Sequence, residues 1–131
     1  MPIVDISLLA GRRAEHKRAI ADAVHDAMVE TLGLPEDDYF VLFHEHAPDA
    51  FYVDRGFYGI ERTDDALIVR VTLRDRGTDS KRELYRAIAG RLRDDAGVRV
   101  QDVFISLINV PNENWSFGNG EAQLAQQPAP W

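Results

Sequence analysis

Met1-Pro2-Ile3-Val4-Asp5-Ile6-Ser7-Leu8-Leu9 decides how the rest of the chain is read. Its branched apolar side chains suit a pleated, mostly buried strand. Proline has no amide hydrogen to give a ladder, so Pro2 fits the opening residue of that strand. A small residue after the initiator methionine is expected to let an aminopeptidase expose Pro2. Its nitrogen is then a secondary amine, held at the rigid end of a strand. The plainer reading is that Pro2 only starts the strand, so the question is whether the chain supplies partners for an amine there.

The pattern returns 65 residues on, from position 3 to position 68, as Ile68-Val69-Arg70-Val71-Thr72-Leu73. Each run leads through an arginine-bearing turn into an amphipathic helix. The first spans Ala14 to Leu32, with Ile20, Val24, Met28 and Leu32 at four-residue intervals. Its Lys17, Arg18, Asp22, His25, Asp26 and Glu30 are expected to face mostly outward. No residue suits its N-cap, whereas Gly33 and Pro35 end it. The second helix carries Leu84, Ile88 and Leu92 and stops at Gly97. Ser80 and Glu83 have capping-box spacing there, with Thr78 and Asp79 as alternative caps. Each helix is followed by an aspartate, Asp38 or Asp102, and a further strand. These strands run from Tyr39 through Phe43 towards His46, and from Val103 to Ile108.

Each half is thus a strand-helix-strand unit whose strands run parallel through a right-handed crossover. The expected fold is α/β (α+β): a tandem β-α-β repeat making a four-stranded sheet with both helices on one face. One domain covers residues 1–131, with the repeat at about 2–48 and 66–111. The strands read as apolar on both sides, so the other sheet face needs cover. Oligomerisation, for example a ring of three subunits, would supply it. The aromatic-rich stretch 48–66 reads as short strands around Asp54-Arg55-Gly56, forming a hairpin or a subunit contact. The last residues, Gln126 to Trp131, are expected to fray.

Composition narrows the function. With 22 acidic against 15 basic residues the formal charge is -7, which argues against nonspecific binding to nucleic acid or acidic membranes. Without cysteine there is no disulfide framework, thiolate nucleophile or thiolate-held metal. No run reaches the ~20 apolar residues of a membrane span, and nothing reads as a signal peptide, so a soluble cytoplasmic protein is expected.

The repeat makes a geometric prediction about chemistry. A parallel crossover returns the chain to the edge where the first strand began, so Pro2 and Asp38 become neighbours. If the third strand is antiparallel to the first, Arg74 and Arg76 reach that edge too. Guanidinium forks match a carboxylate's two oxygens, so the pair suits a small organic acid. The plainer alternatives are a strand-entry cap for Asp38 and solvated turn arginines paired with Asp75 or Asp79. Fixed cations would make an amine at Pro2 harder to protonate, and a carboxylate would oppose them. A neutral Pro2 is a base or nucleophile; a charged one is an acid that polarises a carbonyl.

These residues resemble the tautomerase superfamily, and within it the malonate semialdehyde decarboxylases. The resemblance runs over nearly the whole chain. It is carried by Met1-Pro2 with Gly11-Arg12, the helix run Ala23 to Glu30, Pro35-Glu36 with Asp38, and Gly59-Ile60-Glu61-Arg62. Arg74-x-Arg76 and Trp115-Ser116-Phe117-Gly118-x-Gly120 complete it. It implies a homotrimer, a catalytic Pro2 assisted by Asp38, and Arg74 and Arg76 binding or polarising a small anionic oxo acid. Trp115 and Phe117 then wall the pocket. Leu124 stands where a relative has phenylalanine, which alters the wall's shape. The implied reaction is decarboxylation of malonate semialdehyde to acetaldehyde and CO2, without a cofactor. Enol-keto tautomerisation of a 2-oxo acid such as phenylpyruvate and hydration of an unsaturated three-carbon acid use the same equipment. A trimeric interaction protein is the non-enzymatic alternative. The cis-3-chloroacrylic acid dehalogenase pattern fits less well, because its helix histidine falls near Val29 and His25 is one turn early.

Two further features read as structural. His44 and His46 alternate along a strand end without a third ligand at suitable spacing, which favours exposed or interface histidines over a metal site. Gly118-x-Gly120 lacks the strand-turn-helix setting of a dinucleotide site and instead permits a tight turn that brings Trp115 and Phe117 inward.

Overall fold

The computed structural model describes residues 1–125. Its regular elements are β1 (Ile3–Leu9), α1 (Ala14–Leu32), β2 (Val41–His46), β3 (Leu67–Leu73), α2 (Thr78–Ala96) and β4 (Val103–Asn109). The sheet order is β2-β1-β3-β4. β1 and β2 are parallel, as are β3 and β4, and the two halves meet through antiparallel β1 and β3. Ile3 lies opposite Thr72 in that central pairing, as a twofold-related repeat requires.

Alternation along the strands builds the core. Val4, Ile6 and Leu8 of β1 and Val69, Val71 and Leu73 of β3 lie under the helices, packed with Ile20, Val24, Met28, Leu84, Ile88 and Leu92. Each of these fully buried side chains contributes about 1.5–3 kcal/mol relative to exposure. Both helices end at a glycine in the left-handed region, Gly33 at φ 69° and Gly97 at φ 66°, where a Cβ would be strained.

Several expectations are corrected. The capping box does not form: Gly77 is the N-cap of α2 and offers no side chain, while Ser80 lies within the first helical turn. His25 does not face outward. It is buried and stacked on Tyr39 at 4.2 Å, because it sits three residues before Met28 and four after Ala21 on the apolar stripe. Residues 48–66 form no strands; two short 3₁₀ turns, Pro48–Ala50 and Phe57–Gly59, take their place. Arg62 organises this stretch by donating to the carbonyls of Phe57 and Ile60 at 3.1 and 3.2 Å, so its backbone needs no ladder. Tyr52 and Tyr58 remain 88% and 86% exposed.

The face away from the helices is more polar than its strands suggested. Asp5, Ser7, His44, Arg70, Thr72 and Ser106 take the alternate positions. His44 Nε2 lies 2.6 Å from Asp5 Oδ1, and Arg70 donates to Ser7 Oγ at 3.3 Å. Leu42, Phe104 and Ile108 are nevertheless exposed on that side. Among the described residues no helix is long and apolar enough to cross a membrane. The expected fraying of residues 126–131 lies outside the described residues.

Candidate active site

Strand direction gathers the candidate residues at one end of the sheet. Pro2 precedes β1, and Asp38 precedes the parallel β2. Arg74 and Arg76 follow the antiparallel β3, and Trp115 and Phe117 follow β4, which runs parallel to β3. A cleft of about 370 Å³ opens there, lined by Met1, Pro2, Asp38, Phe40, Trp115 and Phe117 among others. Most of its lining is apolar, so charges inside are poorly screened.

Asp38 is 9% exposed, and its carboxylate is ion-paired with the amino group of Met1. Its counterpart in the second half behaves differently. Asp102 accepts from the Thr63 amide and hydroxyl, both at 2.7 Å, and Arg99 approaches it at 3.6 Å. One repeat thus uses its aspartate to pin a loop. The other leaves a carboxylate facing a cleft, with no hydrogen bond from the body of the chain among the described residues.

Pro2 is buried, and its nitrogen is part of the Met1-Pro2 peptide bond. The free amine in the cleft is that of Met1. Burial, and after it the charge of Arg76, push this amine down from 8.0 to about 5. The carboxylate of Asp38 opposes both. Arg76 is itself partly buried, and its Nε and Nη2 have no hydrogen-bond partner among the described residues. Burial and then the neighbouring Arg74 pull its guanidinium below the ordinary arginine value. Such a cation presents unused donors to an anion.

Neither Arg74 nor Arg76 is among the residues that line this cleft within the chain, so the expected convergence of both on it is not met here; Arg76 bears on the amine through its charge. Arg74 lies in a neighbouring depression of about 400 Å³ with Asn109, Pro111 and Asn112. Asp75 meets Lys81 at 2.8 Å, and Asp79 faces Arg82 at 3.6 Å.

The far wall is set by a turn. Gly118, Asn119 and Gly120 all have positive φ, of 131°, 61° and 69°, which glycine adopts without strain. The turn brings the rings of Trp115 and Phe117 to 6.2 Å. Gln123 locks it by accepting from the Phe117 amide at 2.9 Å and donating to the Gly118 carbonyl at 3.0 Å. Leu124 then packs, buried, against Met1 and Trp115. Sequence reading missed Gln123 and the plug formed by Met1. A glutamine has no positional signature of its own, and the seat of Met1 depends on contacts more than a hundred residues away.

Comparisons with known proteins agree with this fold. A family model described as tautomerase enzyme matches residues 38–118, and a second with the same description matches residues 2–57. A probable tautomerase of Bacillus subtilis (strain 168), YusQ, is 39% identical over 127 residues, covering 96% of this chain and 100% of that protein. A second from the same organism, YrdN, is 31% identical over 95% of this chain and 96% of that one. Among solved structures, a malonate semialdehyde decarboxylase inhibited by 3-bromopropiolate superimposes with a TM-score of 0.90 at 34% identity, covering 98% of both chains. Another malonate semialdehyde decarboxylase, described with decarboxylase and hydratase activities, reaches 0.90 at 27% identity, covering 95% of this chain and 96% of that one. A family model spanning more than half of the sequence, and a relative aligned along its whole length, make this chain a member of the tautomerase family.

Proposed function

We propose that this chain, once Met1 is removed, is a cofactor-independent decarboxylase of short 3-oxo acids that works through the Pro2 amine. The observation that carries the reading is the seat of the amino terminus. A free amine in an apolar cleft meets one carboxylate, Asp38, and feels one under-partnered cation, Arg76. Removing Met1 moves the free amine one residue inward, onto Pro2. The likeness to two malonate semialdehyde decarboxylases supports the choice of substrate.

Decarboxylation needs a sink for the electron pair of the breaking C1–C2 bond. In one route the Pro2 nitrogen attacks the C3 carbonyl and water leaves, giving an iminium. The C1–C2 pair becomes the C2=C3 bond of an enamine, and CO2 departs. C2 then takes a proton, and water releases acetaldehyde and Pro2. In the other route protonated Pro2 hydrogen-bonds the C3 oxygen. The same pair forms an enol as that oxygen takes the proton, and C2 is protonated afterwards. In both, Arg76 holds the carboxylate out of the carbonyl plane, Arg74 adds attraction for the anion from the adjoining depression, and Trp115 and Phe117 exclude water. Asp38 orients the amine and stabilises its cation.

Enol-keto tautomerisation of a 2-oxo acid is the second reading, favoured by the description of the matched family and of the Bacillus relatives. CO2 release from malonate semialdehyde, set against ketonisation of phenylenolpyruvate, separates the two. The decarboxylase reading fails if CO2 release does not exceed that of Pro2→Ala.

The proposal includes a homotrimer. Its support is the open sheet face, where Leu42, Phe104 and Ile108 stand exposed beside a paired polar network and would be covered by neighbouring subunits.

A further inference from the structure

Met1 is an occupant of the cleft as well as the start of the chain. Its acyl carbon is bonded to the Pro2 nitrogen. In the iminium route a substrate carbonyl carbon comes to that same position when it bonds to the freed amine. Beyond that carbon Met1 divides into two arms. Its amino group meets Asp38 within the field of Arg76. Its thioether side chain is buried against Leu124 and Trp115, leaving the residue 5% exposed.

Loss of Met1 therefore opens a chamber with two unlike ends. One end is charged, at Asp38 and Arg76; the other is apolar, at Leu124 and Trp115. Gln123 ties the adjoining wall segment at Phe117 and Gly118, which resists collapse of that end. An unsubstituted three-carbon oxo acid offers its carboxylate to Arg76 at the charged end and leaves the apolar one to water. Apolar surface in such a slot favours an apolar occupant.

We infer that the site takes an oxo acid bearing an apolar branch, up to the length of a methionine side chain, on the carbon next to its reacting carbonyl. Leu124 and Trp115 form the subsite for that branch. The inference rests on the proposed role of Pro2 and names the substrate class of the same site. A 2-alkyl 3-oxo acid carries its carboxylate and its branch together on that carbon, as Met1 carries its two arms.

Calorimetry with malonate and 2-propylmalonate, neither of which reacts, tests the subsite on protein whose intact mass shows Pro2 as the first residue. Transfer of the propyl group from water predicts about tenfold or greater preference for 2-propylmalonate. Leu124→Phe fills the subsite and should cut that preference by about fivefold or more. Protein that retains Met1 should show no preference. Equal binding of the two acids, binding of neither, or a preference untouched by Leu124→Phe overturns the inference. A parallel assay of CO2 release from malonate semialdehyde keeps the two claims apart. Release without a binding preference removes the subsite and leaves the decarboxylase. A preference without release does the reverse.

Discussion

Asp38 and Asp102 occupy matching positions in the two halves of the repeat, and the body of the chain satisfies only Asp102. The difference predicts opposite mutational behaviour. Asp102→Ala strands the Thr63 amide and hydroxyl and should lower unfolding free energy by about 2 kcal/mol or more. Asp38→Asn removes a buried charge without breaking a bond to the chain body, so stability should stay within about 0.5 kcal/mol or rise. Urea titration of both variants, made in protein lacking Met1, checks the contrast. Equal losses would mean that Asp38 is a structural cap.

The two arginines should not be interchangeable. The charge of Arg76 bears on the amine and its Nε and Nη2 have no hydrogen-bond partner among the described residues, whereas Arg74 sits in the adjoining depression. Arg76→Gln should therefore lower kcat/KM for the oxo acid by about 100-fold or more, the scale of losing a donor to developing charge. Arg74→Gln should act mainly through KM, by about tenfold, as loss of uniform binding does. Steady-state kinetics that gave the reversed order would reassign the carboxylate clamp.

The amine carries a pH signature. In protein that retains Met1, the folded amine sits near 5 and the unfolded one near 8.0. Between those values the unfolded chain binds a proton that the folded chain does not, so this group makes stability rise as pH rises from about 5 to 8. Arg76→Gln removes a cation, raises the folded pKa and should flatten that rise. Denaturation midpoints of both proteins across this window measure it, and the histidine contributions cancel in the comparison. A steeper rise in the variant would contradict the placement of Arg76 beside the amine.

Assembly should depend on the open sheet face. Ile108→Asp or Leu42→Asp places a charge where a neighbouring subunit would pack, and should convert the proposed trimer to monomers in light scattering. A trimer that survives both changes would move the interface elsewhere.

Much of this was legible from residue spacing. Four-residue intervals in Ile20, Val24 and Met28 locate α1, and the repeat of Ile3–Leu8 at Ile68–Leu73 fixes the sheet's symmetry. That symmetry brings Pro2, Asp38 and the arginines to one end, because strand direction alone determines where each element finishes. Less regular features escaped for physical reasons. Gly77 caps α2 by backbone alone, so the more conspicuous Ser80 and Glu83 misled. The 48–66 stretch has strand-forming aromatics, but Arg62 satisfies its carbonyls and removes the need for a ladder. Adjacent turn arginines look equivalent in sequence, and only the packing around them separates Arg76 from Arg74.

CO2 release shows whether the Pro2 amine performs the chemistry. CO2 release from malonate semialdehyde is followed with protein shown by intact mass to begin at Pro2, and with its Pro2→Ala variant prepared in the same way. Release by the Pro2 protein should exceed that of the variant by about 100-fold or more. Equal release from the two proteins would contradict it.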